Sequence, residues 1–269
     1  MLEGGEVGAC VFEKPEPHVD DTLLYDYALF FVATLCDYYE ATRDREALLD
    51  LWPVAWEQIQ IGLRRLDERG IVKEDETWWC FIDWRPELNK QASAQAILLY
   101  CLKKGLKLAE AQALTDEMNF LREKIEYVTE AALQHLWDEE RGWFISGPAA
   151  QVSWASQIWM TLAGVKDRRE NGEILERLFD EPSAVRINTP YMYHHLIEAL
   201  MESGKQDRAI EQMRIYWGGM IGDGADTFWE VYHPEDKAFS PYGKESHQQL
   251  LPCLELHAGL FYPKIFGLT

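Results

Sequence analysis

Gly224-Ala225-Asp226-Thr227-Phe228-Trp229-Glu230 sets a carboxylate directly behind a glycine turn and two aromatic rings. Aromatic faces stack on the C–H faces of sugar rings, and a carboxylate beside them can bind hydroxyls or take a proton from water. Partial desolvation by Phe228 and Trp229 favours Glu230 as a general base. The plainer alternative is a glutamate that caps or pairs within a loop. A second stretch, Trp78-Trp79-Cys80-Phe81-Ile82-Asp83-Trp84, places one acid among four large aromatics. Such an acid is costly to bury unless it is paired or hydrogen-bonded. Asp83 therefore binds ligand hydroxyls or is held by a cation such as Arg85; a helix N-cap ahead of 86–90 is the alternative.

The remaining candidates are more ordinary. Asp26, between Tyr25 and Tyr27 on an otherwise apolar helix, needs a buried partner or a ligand. Gln157, with Trp154, can line a cleft or simply pack. His194 and His195 are adjacent on a helix, but the sequence suggests no third metal ligand. His257, on an apolar terminal helix, fits a core histidine. No phosphate-binding loop, serine-hydrolase elbow or zinc-protease pair occurs, so neither a metal nor a cofactor is expected.

These residues need a scaffold, and the pattern predicts a helical one. The chain has 269 residues and is 47% hydrophobic, enough for a large core. After about 20 extended, Gly- and Pro-containing residues, helices are predicted from Asp21 to about residue 43, then at about 45–68, 89–110, 115–137, 151–164, 168–180, 190–203, 205–219 and 246–266. Pro53 kinks the second or delays its start. Thr189 before Pro190 marks a helix start, as does Thr115. The stretch Arg141–Pro148 reads as a hairpin or turn. About nine helices in hairpins, with aromatic and acidic loops and no fixed repeat, suit a single all-α domain over 1–269. The architecture is an (α/α) toroid of the six-hairpin type, incomplete, with short β segments in its loops.

Charge and cysteines narrow the partners. A formal charge of −20 disfavours nucleic acid and anionic membrane. Five cysteines without CxxC spacing fit free thiols in a reducing compartment. With no transmembrane-length apolar run and no signal-peptide core at the N-terminus, a cytoplasmic location is expected.

Taken in order, several segments resemble the catalytic toroid of α-L-rhamnosidases: the stretch from Asp26 to Pro53, TWWCFIDW, LWDEERGWF, QVSWASQ, the stretch from Thr189 to Glu230, and HAGLFYPKIFGL. The most specific are GADTFWE and FIDW. The resemblance implies an inverting glycosidase using two carboxylic acids. It assigns the general base of a Gly-x-x-Thr-x-Trp-Glu motif to Glu230, and sugar-pocket roles to Asp83 and Trp84. Trp79, Trp84 and Trp229 become stacking platforms, and Asp26 a further pocket residue. The family's C-terminal His-Ala-Trp, whose histidine contacts sugar, is matched by His257-Ala258, followed here by Gly259, which implies a substrate-binding role for His257. Its general acid stands in an Arg-Asp-x-x-x-Trp-x-Gly-Asp type motif ahead of the region matching Tyr25, and nothing before Tyr25 resembles it.

The expectation is thus a carbohydrate-binding chain with the base but without the acid segment, weakly active by itself on unactivated rhamnosides. A non-catalytic sugar-binding remnant and a different toroid glucosidase are the alternatives. Helix faces left uncovered by an incomplete toroid would favour a homo-oligomer.

Overall fold

The computed structural model describes residues 4–74, 79–227 and 229–233. Within them lie eight α-helices and two minimal two-stranded ladders, so the all-α expectation holds. The predicted helix at 246–266 falls outside the described residues. Packing divides the chain into two compact units, one of 1–82 with 89–150 and the other of 83–88 with 151 onward.

In the first unit, α1 (Tyr25–Thr42) pairs with α2 (Arg45–Arg64), and α3 (Gln91–Gln112) with α4 (Thr115–His135); α1 also packs along α3. Burial separates two kinds of helix. α3 buries residues all round, from Ala92 to Ala109, whereas α4 buries only Leu121, Val128, Ala131 and Ala132. The latter form a single stripe at helical spacing, as an outer helix requires. Gly62 on α2 allows the close approach: a Cβ there would come within 2.9 Å of Leu29 on α1 and Leu98 on α3. α2 begins on schedule behind an Asp44 N-cap and runs through Pro53, so the proline neither delays nor ends it. α4 starts at Thr115 without a side-chain cap.

The ladder β1 (Val11–Phe12) with β2 (His18–Val19) precedes the helices, and β3 (Trp137–Asp138) with β4 (Trp143–Phe144) forms the hairpin expected after α4. The four described cysteines, Cys10, Cys36, Cys80 and Cys101, are free thiols. No described helix is long and apolar enough to cross a membrane.

The second unit repeats the scheme. α5 (Trp154–Leu162) pairs with α6 (Arg168–Leu178), α7 (Pro190–Glu202) pairs with α8 (Gln206–Gly222), and α5 packs along α7. All nine residues of α5 are buried, while α8 buries only Ala209, Gln212, Tyr216 and Met220. The starts of α5, α6 and α7 are set by short polar side chains. Asp167 and Glu170 form a reciprocal capping box on α6. Thr189 accepts from the Met192 amide at 3.1 Å, with Pro190 in the first helical position of α7, as the sequence predicts.

Candidate active site

Three predicted residues come together in the second unit around Trp84. Its indole Nε1–H donates to Glu230 Oε1 at 3.0 Å, and its backbone N–H donates to Asp83 Oδ1 at 2.8 Å. Glu230 follows α8 by a short loop that turns at Gly224, where φ is +100° and a side chain would be strained. The glutamate is half-buried. An indole donor fixes a carboxylate in direction without neutralising it, which suits a base that must accept a proton from a substrate or water.

Asp83 is only 3% exposed and is spent on the backbone. Besides Trp84, it accepts from the Asn188 amide at 2.7 Å and the Thr189 amide at 3.1 Å, immediately before α7. Burial pushes its carboxyl up to about 6 despite those hydrogen bonds, which act in the opposite direction. Arg85 is not its partner. The guanidinium donates to the Arg186 carbonyl at 3.0 Å, lies 3.4 Å from Glu87 and 3.3 Å from His233 Nε2. Nor does Asp83 cap 86–90, because the amides it holds lie at 84, 188 and 189. Its geometry is that of a group organising the segment rather than one held open for hydroxyls.

Trp229 also differs from expectation. At 6% exposure, packed 5.8 Å from the Tyr232 ring, it offers little open face for stacking. Aromatic residues in such loops serve as packing as readily as platforms, because the same ring satisfies either. Phe228, Trp78 and His257 lie outside the described residues.

In the first unit, Asp26 has no exposed surface. Its two oxygens accept from the Phe81 amide at 3.1 Å and the Ile82 amide at 3.0 Å. Burial raises its carboxyl above the ordinary range. A direct sugar contact is therefore not what its surroundings provide. The bonds hold Ile82, a β-branched residue at φ +55°, in a conformation that costs about 1–2 kcal/mol. Trp79, three residues earlier, is 51% exposed, and its indole is available to stack on a ligand.

Of the weaker candidates, Gln157 and His194 are buried and His195 is half-buried. Gln157 is fully enclosed and donates to the Ser153 carbonyl and Ser156 Oγ, and Trp154 packs edge-on to Phe179. His194 and His195 gain a third possible ligand that the sequence did not suggest, Glu198, with ligand atoms within 4.8 Å of one another. His195 is packed between the Trp159 and Tyr191 rings and lies 3.5 Å from Glu198. Cys36, Asp37 and Glu40 form a second such group, but Lys104 and Lys107 already pair with its two acids.

Sequence reasoning missed Asn188 and Tyr232. The Tyr232 amide donates to the Asn188 carbonyl at 3.3 Å, and its hydroxyl donates to Asp223 at 2.8 Å. The only local signal was Asn-Thr-Pro ahead of a helix, which reads as capping and nothing more.

Residues 6–248 match the bacterial alpha-L-rhamnosidase 6 hairpin glycosidase domain. The chain is similar to a rhamnosidase from Klebsiella oxytoca with rhamnose bound, at 42% identity and a TM-score of 0.90, over 99% of this chain and 51% of that one. It is similar in fold to a GH78 family rhamnosidase of Bacillus sp. GL1, with 23% identity, a TM-score of 0.71, and coverage of 78% and 23%. An uncharacterized conserved protein from Thermus thermophilus shares the fold at 16% identity and a TM-score of 0.66, over 86% of this chain and 78% of that one. No curated protein matches. The chain spans about half the length of the Klebsiella relative. With the family's model matched over residues 6–248 of this chain, and its helices hairpinned as described, this chain belongs to the bacterial α-L-rhamnosidase six-hairpin glycosidase family.

Proposed function

We propose that this chain carries the water-activating half of an inverting α-L-rhamnosidase. Glu230 takes a proton from water as the water oxygen attacks the anomeric carbon. The glycosidic C–O bond breaks with its electrons going to the leaving oxygen, which a general acid protonates. The observation that carries this reading is the Trp84 indole donating to Glu230 at 3.0 Å in a member of this family. The substrate class is supported by the rhamnose bound to the Klebsiella relative, 42% identical along 99% of this chain.

Asp83 acts as a positioning residue in this reading, because its oxygens are occupied by backbone amides. Trp84, beside Glu230, is the aromatic contact for the sugar. The test is a panel of aryl α-L-rhamnosides and aryl D-glucosides, with the product anomer followed by NMR. Selective hydrolysis of the rhamnosides with β-L-rhamnose as first product is expected. Preferential glucoside hydrolysis, or a retained anomer, would overturn the proposal.

A further inference from the structure

We propose that Asn188 is a positioning residue for the base, acting through the Trp84 indole; the inference rests on the assignment of Glu230 above. Three pieces of the second unit converge on this one residue. Its backbone N–H donates to Asp83 at 2.7 Å. Its backbone carbonyl accepts from the Tyr216 hydroxyl at 2.7 Å and from the Tyr232 amide at 3.3 Å. Its side-chain Nδ2 donates to the Trp84 carbonyl at 3.0 Å.

Tyr232 lies two residues after Glu230, so the Asn188 backbone anchors the segment that carries the carboxylate. The Asn188 side chain anchors the backbone of the residue whose indole meets that carboxylate. Trp84 is then fixed on both sides of its backbone, at the amide by Asp83 and at the carbonyl by Asn188. A peptide held this way has little freedom to rotate, and the indole N–H keeps its aim.

The side chain shows which of its two polar ends matters. Asn188 is fully buried, and its Oδ1 has no hydrogen-bond partner among the described residues. A buried unpaired acceptor is costly. Leucine has the same branching and no such acceptor, so packing alone does not call for asparagine here. The used group is the Nδ2 donor to Trp84.

Asn188→Leu separates the two roles, because the backbone bonds to Asp83, Tyr216 and Tyr232 do not depend on the side chain. The full chain, wild type and variant, is labelled with ¹⁵N at its indoles, and the Trp84 cross-peak is assigned by its loss in Trp84→Phe. The expected result is a Trp84 peak shifted toward its position in Glu230→Ala. On an aryl α-L-rhamnoside, kcat is expected to fall on the order of 10- to 100-fold, with KM changed by less than about threefold. Should Asn188→Leu fail to fold, Asn188→Ala gives the same two readouts. A folded variant with an unmoved indole peak, or with wild-type kcat, overturns the inference. Retained activity in Glu230→Gln instead overturns the base assignment, and the indole peak still reports whether Asn188 holds the Trp84–Glu230 pair.

Discussion

The Trp84 indole N–H donates to Glu230 Oε1 at 3.0 Å, joining residues 146 positions apart in sequence. The same tryptophan donates its backbone N–H to Asp83. One residue therefore links a buried carboxylate that organises the backbone to the half-buried carboxylate proposed as the base.

Trp84→Phe tests that link by keeping an aromatic ring and deleting the donor. We expect kcat on an aryl α-L-rhamnoside to fall on the order of 10- to 100-fold, because misorienting a base by about an ångström costs that much. Steady-state kinetics decide it. An unchanged kcat would mean that the bond has no part in setting the base.

Asp83 gives the molecule a pH signature. Its carboxyl is raised to about 6 in the folded chain, against about 3.9 in an unfolded one. The folded state thus binds the proton more tightly, and the stabilisation this provides is complete below pH ~4. It is lost as pH rises to about 6, amounting to roughly 3 kcal/mol. Asp83→Asn removes this dependence. The stability of wild type relative to Asp83→Asn, measured by urea unfolding, should decline between pH 4 and 6.5. A gap that widens over that interval would contradict the assignment.

Asp26→Ala should destabilise the first unit without any need for substrate. It strands the buried amides of Phe81 and Ile82 and releases Ile82 from its left-handed conformation. Each buried, unpaired amide costs about 1–3 kcal/mol, so a loss of roughly 2–4 kcal/mol is expected, partly offset by relief of strain. Equilibrium denaturation measures it. A loss below about 0.5 kcal/mol would show that water satisfies these amides and that Asp26 is not the anchor.

Much of the helix order was legible because burial and sequence period agree. α6 opens at Arg168, where the predicted helix begins, and α7 opens at Thr189-Pro190, since caps and proline act locally. Glu230 stood out for a similar reason: glycine, aromatic and acid are contiguous. What Asp83 and Asp26 hold was not legible. Their partners are backbone amides, which leave no trace in side-chain identity, and for Asp83 two of those amides lie over a hundred positions away. Trp229 and Trp79 are alike as residue types, yet one is 6% exposed and the other 51%. Only tertiary packing separates them.

The central claim is that Glu230 activates water, and Glu230→Gln tests it most directly. The substitution keeps the side chain's size while removing its ability to accept a proton. The account predicts an unaltered melting temperature and an aryl α-L-rhamnosidase rate reduced about 10²- to 10⁴-fold. A folded Glu230→Gln chain that hydrolyses the rhamnoside at the wild-type rate would contradict it.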